Sequence, residues 1–173
     1  MKLRFVCFIA VGLIISFLFL VSCQNSETID TSNISVKVDI QRFDETMMSL
    51  KTKEQIKDFL LKNTKFVNQF YQTSPEDTAL INRLFLIHNN SDTQAFYEDT
   101  KKSFGNLADL KQELETAFKH IKFYYPDFKE PQIITTFTAL DLELMVSNEM
   151  IVIPLETFLG PKAKYRPQYP LYL

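Results

Sequence analysis

Glycine is scarce. Gly12, Gly105 and Gly160 are the only three in 173 residues. No two lie close together, so neither a GxGxxG dinucleotide turn nor a phosphate-binding P-loop can be written. Histidine is limited to His88 and His120, too far apart for HExxH or for a His-rich metal cage within this chain. Cys7 and Cys23 are the only cysteines, which excludes a disulfide framework and a CxxC zinc site. Neither sign of charge dominates. Lys and Arg number 19 against 21 Asp and Glu, and the pI is about 5.7, so nucleic acid is not an expected partner. No motif calls for a cofactor or a metal. What is present is apolar: hydrophobic residues make up 46%, enough for a packed core, and the length fits one domain.

The N-terminus carries an address rather than a fold. Lys2 and Arg4 form a short positive region, and Phe5 to Leu20 is an almost unbroken apolar run. Leu20-Val21-Ser22-Cys23 follows, and it resembles the bacterial lipobox. The resemblance implies that the Cys23 thiol receives a diacylglycerol. A lipoprotein signal peptidase then cuts after Ser22, and the new amino group is acylated. Two other readings stay open. The run is just short of the ~20 residues of a membrane span, so it can be an uncleaved anchor; or the chain is secreted without lipid. Cys7 is an apolar filler inside the segment.

Removing residues 1–22 removes Lys2 and Arg4 and leaves an excess of acid. The expected membrane partner is therefore held through N-terminal acyl chains rather than by charge, each buried CH2 contributing about 0.8 kcal/mol. Gln24, where an Asp would signal inner-membrane retention, points to the outer membrane. Glu27 and Asp30 make a poor acidic patch, which favours the periplasmic face over surface display. Gln24 to Ser35 is polar and reads as a tether with a flexible reach of about 20 Å.

The mature chain is organised as strand, helices, strands. Ser35 to Gln41 alternates apolar and polar residues, a half-buried strand closed by Arg42-Phe43-Asp44. Thr52 to Phe70 reads as helix, with Thr52 and Gln55 at capping-box spacing and a break near Asn63-Thr64. Thr73 to Asp77 is a turn in which Pro75 is placed to begin the next helix, through Leu80, Ile81, Leu84, Phe85 and Ile87. Asn89 to Asp92 interrupts it, and helix resumes from Thr93 to Phe104, stopped by Gly105-Asn106. Leu107 to Tyr124 has the clearest period, with Leu107, Leu110, Leu114, Ala117, Phe118 and Ile121 on one stripe. Gln132 to Thr138, Leu142 to Val146 and Met150 to Pro154 read as strands, the last two joined as a hairpin through Asn148-Glu149. Leu155 to Gly160 is a helical turn. The expected fold class is α+β, with four or so helices on a small mixed β-sheet that the first strand joins. The expected domains are a signal peptide over 1–22, a lipidated cysteine and tether over 23–35, and one α+β domain over 36–173.

Candidate chemistry is thin. His120 lies on a helix flank and reads as a surface residue. His88 sits at a helix end, where a cation would favour the dipole. Asp141, Glu143 and Glu149 lie near the strands and read as solvated loop acids, since nothing defines the separation an acid/base pair needs. Tyr165, Tyr169 and Tyr172 with Pro167 and Pro170 form either an aromatic contact surface or the first buried turn of a further half. The tail ends apolar, so the chain is expected to be an N-terminal portion of something longer, or its tail packs back across the sheet.

Taken in order, these segments resemble the gliding-motility-associated lipoprotein GldB family of Bacteroidetes-type bacteria. The resemblance rests on the lipobox at Cys23, on Ile40-Gln41-Arg42-Phe43-Asp44, and on Tyr124-Tyr125-Pro126-Asp127-Phe128 followed by Pro131. It rests too on Met150 through Gly160, with Tyr165, Pro167 and Tyr169 beyond. Where that family has an aspartate after the apolar strand, this chain has Pro154-Leu155-Glu156, and where it has a second half this chain stops. The resemblance implies a cell-envelope lipoprotein without transferable catalytic residues. Together with the lipobox and the lack of a catalytic set, it leads to the expectation of a non-enzymatic component that meets envelope protein partners of a motility or secretion apparatus. A rival reading is the N-terminal lobe of a zinc-peptidase-like hydrolase whose catalytic half is absent.

Overall fold

Val36, Val38 and Ile40 turn inward while Ser35, Lys37 and Asp39 face solvent, in the computed structural model that describes residues 29–160 and 163–165. The period-two alternation read from the sequence is therefore real. Only its last part forms a ladder: β1 spans Ile40–Arg42. The residues before it pack against a helix rather than a strand, so the expected strand from Ser35 is shortened. The expected signal segment, including Ser22 and Cys23, lies outside the described residues, as do Pro167, Tyr169, Pro170 and Tyr172.

Arg42-Phe43-Asp44 does not merely close the strand. It opens α1 (Phe43–Ser49), a helix that the sequence reading missed. Asp44 and Glu45 lie in its first turn, where negative charge suits the exposed N–H groups. Met47 and Met48 are buried. The first helix expected from the sequence is found as α2 (Lys53–Lys62), with both hydrogen bonds of the Thr52–Gln55 capping box formed. It breaks at Asn63, whose side chain donates to the Phe59 carbonyl at 2.8 Å. The chain continues as α3 (Thr64–Phe66) and a π-helical turn (Val67–Tyr71) that ends where Gln72 turns left-handed at φ 54°.

α4 (Thr78–Asn89) starts later than expected. Asp77, not Pro75, caps it, accepting from the amides of Ala79 at 2.7 Å and Leu80 at 3.4 Å. Thr73 donates to the other Asp77 oxygen at 2.7 Å. These bonds hold the Asp77 carboxyl below its ordinary range, the Thr73 bond most of all. α5 (Ser91–Phe104) is capped by Asn90, which accepts from the Thr93 amide at 2.9 Å. α6 (Ala108–Tyr124) follows Gly105 and a left-handed Leu107. Leu107, Leu110, Leu114 and Phe118 pack inward as expected, but Ala117 lies on the solvent flank, and Ile121 is exposed because the helix runs on past the sheet it covers.

β2 (Gln132–Thr136), β3 (Met145–Val146) and β4 (Met150–Pro154) complete a four-stranded sheet in the order β1-β2-β4-β3. β1, β2 and β4 run parallel, with Ile40 opposite Ile133 and Ile133 opposite Ile151. β3 is antiparallel to β4, so the expected hairpin forms, although β3 is shorter than Leu142 to Val146. Strand periodicity divides the core. Ile134, Met150 and Val152 face α1–α4, whereas Ile133, Ile153 and Leu155 face α6. A third cluster of Met48, Phe96, Tyr97 and Phe137 lies beyond the C-terminal end of β2. A 3-10 turn over Leu155–Phe158 follows β4. The chain is thus α+β, with six α-helices on a small mixed sheet among the described residues.

His88 overturns its expectation. It lies in the last turn of α4 but is fully buried, and neither ring nitrogen makes a hydrogen bond of normal geometry among the described residues. Burial pushes its pKa down to about 4, and the nearby Lys51 ammonium adds to that; the Leu50 backbone opposes only in part. The ring is therefore neutral, not a cation on the helix dipole. Lys51 takes that place, its ammonium donating to the carbonyls of Met48 at 3.1 Å and His88 at 3.2 Å. The unfolded chain charges this imidazole at its ordinary pKa and the folded chain does not. His88 thus contributes stability that is complete above pH ~6.5 and lost as pH falls towards ~4, about 3 kcal/mol in all. In His88→Leu this acid-side loss is expected to disappear, with stability at pH 7 changed by less than about 1.5 kcal/mol. Urea titrations of both proteins across that range check it; parallel pH profiles would refute it.

Candidate functional site

In a parallel sheet the chemistry-bearing residues usually gather where the strands end, because loops from several strands converge there. The same edge of this sheet collects two buried carboxylates, Asp44 after β1 and Glu156 after β4, with the end of β2 between them in strand order.

Asp44 is fully buried and surrounded by donors. The Arg42 guanidinium grips it with two bonds, Nε at 2.9 Å and Nη2 at 2.7 Å. Thr135 on β2 donates its hydroxyl to Asp44 Oδ1, and Tyr97 on α5 donates to Oδ2 at 3.4 Å. Arg42 also reaches Glu45 at 3.1 Å and the Gly105 carbonyl at 3.2 Å. The Asp44 bonds hold the guanidinium still more firmly protonated than usual, against a smaller cost of burial. Burial, and Asp44 after it, push the Tyr97 phenol up, so it stays a donor. Fork-to-fork geometry explains why arginine stands here.

Glu156 is the second carboxylate, and only 1% exposed. Its Oε1 accepts from the Thr138 amide at 2.7 Å, the Thr138 hydroxyl at 2.8 Å and the Leu140 amide at 3.2 Å. These bonds pin a turn in which Ala139 (φ 57°) and Leu140 (φ 68°) are both left-handed without being glycine. Such residues cost about 1–3 kcal/mol each, so the turn persists because Glu156 gathers its amides. Glu156 Oε2 has no partner among the described residues. Burial raises the Glu156 pKa, and the Thr138 and Leu140 bonds oppose that. The buried Tyr71 hydroxyl is likewise unpartnered among the described residues, and burial raises its pKa as well.

The residues singled out from the sequence are not brought together. Asp141 forms a surface ion pair with Arg83 at 2.9 Å. Glu149 pairs with Lys65 at 3.0 Å and accepts from Gln69 at 2.8 Å; these partners hold its pKa low, Lys65 foremost. Glu143 is exposed, and the partly buried His120 ring bonds the Thr116 carbonyl one turn back, at 2.8 Å. Among the described residues no group of three or more His, Cys, Asp or Glu could hold a metal ion. Tyr165 lies against the Phe96 ring, with centroids 4.6 Å apart. With Asp92, Thr93, Ala139 and Leu140 it lines a surface hollow.

The Asp44 and Glu156 clusters were missed from the sequence as sites. Arg42-Phe43-Asp44 was noticed as a strand end and Pro154-Leu155-Glu156 as a departure in a motif, but acids with no ligand motif read as surface. Only their positions beside apolar strands hinted otherwise.

These two acids sit within two of the segments, Ile40 to Asp44 and Met150 to Gly160, on which the family resemblance rests. A family model described as gliding motility protein GldB matches residues 24–173. The chain belongs to the GldB family. No curated protein and no solved structure matches it. For this GldB-family protein, the arrangement positions a strand–helix junction and a strained turn; it does not present an acid to solvent. Among the described residues no helix is long and apolar enough to cross a membrane.

Arg42→Ala is expected to lower stability by about 3–5 kcal/mol, because it strands a fully buried carboxylate. Arg42→Lys should recover only part, since an ammonium cannot fork onto both oxygens. Denaturant midpoints at constant m-value measure both. A loss under 1 kcal/mol for the alanine, as for ordinary surface pairs, would contradict the analysis.

Proposed function

We propose that this GldB-family protein is a lipoprotein anchored to the outer membrane, on its periplasmic face, by acyl chains on Cys23. In this reading residues 1–22 are a signal peptide removed after Ser22, residues 23–35 are the lipidated cysteine and its tether, and residues 36–173 are the domain. The protein acts as a non-enzymatic component that supports gliding motility or the protein secretion linked to it, through contacts with envelope proteins.

The observation that carries the non-enzymatic reading is the state of the buried carboxylates. A general acid or base must come within about 2.6–3.2 Å of a substrate proton or reach it through one water. Asp44 is 0% exposed and Glu156 1%; both Asp44 oxygens and Glu156 Oε1 are taken up by donors of the chain itself. Such acids hold a shape. The anchored reading is supported by the residues Leu20-Val21-Ser22-Cys23 and by the family match, which begins at Gln24.

Two measurements test the two halves. Cys23→Ala is expected to abolish acyl mass on the mature chain and to release the protein from the outer-membrane fraction. Unchanged mass and fractionation would overturn the anchor. Glu156→Gln keeps an oxygen for the Thr138 and Leu140 amides but cannot exchange a proton. It is expected to preserve gliding and surface-protein delivery at normal protein levels. Loss of both in a folded, normally abundant protein would show that the acid does chemistry.

A further inference from the structure

α6 buries its apolar stripe along only the first part of its length. Leu110, Leu114 and Phe118 pack against the sheet side. At the same helical spacing the stripe continues into Ile121, Tyr124 and Tyr125, which are 37%, 61% and 69% exposed. Phe123, 47% exposed, meets Tyr124 edge-to-face at 5.2 Å between centroids. The C-terminal end of α6 thus leaves several large apolar and aromatic side chains uncovered together, as an interaction surface would.

The topology says what lies near it. β1 and β2 are parallel, with Ile40 opposite Ile133, and α6 ends just before β2 begins. The start of β1 and the end of α6 therefore share the edge where the parallel strands begin. Burial alternates from Ile34 to Ile40, as in an extended chain, and the Val38 amide donates to Glu115 on α6 at 3.4 Å. From Val38 back to Ile34 an extended chain covers about 13 Å. From Glu115 a helix covers about the same rise on reaching Tyr124. The chain that leads back to Cys23 thus leaves the domain beside the exposed aromatic end.

We propose that Ile121, Phe123, Tyr124 and Tyr125 rest on the lipid surface to which acylated Cys23 ties the chain. The proposal takes its nearness to lipid from the anchored reading above and adds an orientation. A tether with a reach of about 20 Å holds this end at high effective concentration over the bilayer, so weak contacts suffice. The chemistry suits that occupant. Tyrosine rings are apolar with a polar tip and settle at headgroup depth, while Phe and Ile enter the acyl boundary. The carboxylate-bearing edge of the sheet then points away from the membrane.

The chain contains no tryptophan, so one introduced indole reports its own position. Tyr125→Trp and, as control, Leu86→Trp are compared as full acylated chains in phosphatidylethanolamine–phosphatidylglycerol vesicles. Leu86 is 68% exposed on α4, across the sheet from α6. With lipids brominated near the top of the acyl chain, the indole at 125 is expected to shift to the blue and lose roughly half its emission or more, as for a group at the headgroup–acyl boundary. The indole at 86 should remain unquenched. Equal emission at both positions, while the protein still floats with the vesicles, would overturn the lipid-facing patch and leave the anchor intact. So would a blue shift at 125 seen only in whole envelopes, which would mean a protein partner. Failure of the acylated protein to float would instead overturn the anchored reading, and the orientation with it.

Discussion

The buried pair of Arg42 and Asp44 is the constraint on which the rest of the domain depends. It sits where β1 becomes α1, two residues apart, so the chain must turn sharply for the side chains to meet. Two other elements answer to it. Thr135 ties in β2 and Tyr97 ties in α5; the Gly105 carbonyl brings the end of α5, and Glu45 adds a contact within α1. A carboxylate removed from water is tolerable only with such a full set of donors. Its burial therefore specifies how the first strand, the first helix, the central strand and α5 must come together.

Glu156 plays a comparable part at the neighbouring strand end. It offsets a costly turn at Ala139-Leu140 by giving three of its donors one acceptor. The two acids divide the work along β2 and the turn that follows it: Thr135 belongs to Asp44 and Thr138 to Glu156. Between them Phe137 closes the edge against Phe96 and Tyr97, with ring centroids 5.2 and 5.3 Å apart. In a fold that places its polar groups where active sites usually form, aromatic packing and internal hydrogen bonds seal that place.

Much of the fold was legible because it rests on local rules. The Thr52–Gln55 capping box, the break at Asn63, the stop at Gly105 and the period of α6 each depend on neighbours within a turn or two. So does the period-two alternation of Val36, Val38 and Ile40. α1 was hidden because seven residues that follow a strand carry too few apolar positions to show a period. Pro75 misled for a related reason: a proline suits a helix start, but Asp77 two residues later offers the capping oxygen. The exposed Ile121 was misread because periodicity shows which face is apolar, not where the covering sheet ends.

The candidate site shows the same division more sharply. The sequence by itself determined the cysteine at the lipobox offset, the poverty of metal and phosphate motifs, the α+β order and the family. All of these are patterns along the chain. Only the tertiary structure decided that His88 is neutral and that Asp44 and Glu156 are buried, whereas Asp141, Glu143 and Glu149 are exposed as their sequence setting implied. The physical reason is that the state of an ionisable group depends on its exposure and its partners. Those partners lie 91 residues away for Thr135 and Asp44, and 53 for Tyr97 and Asp44, beyond the reach of any local pattern.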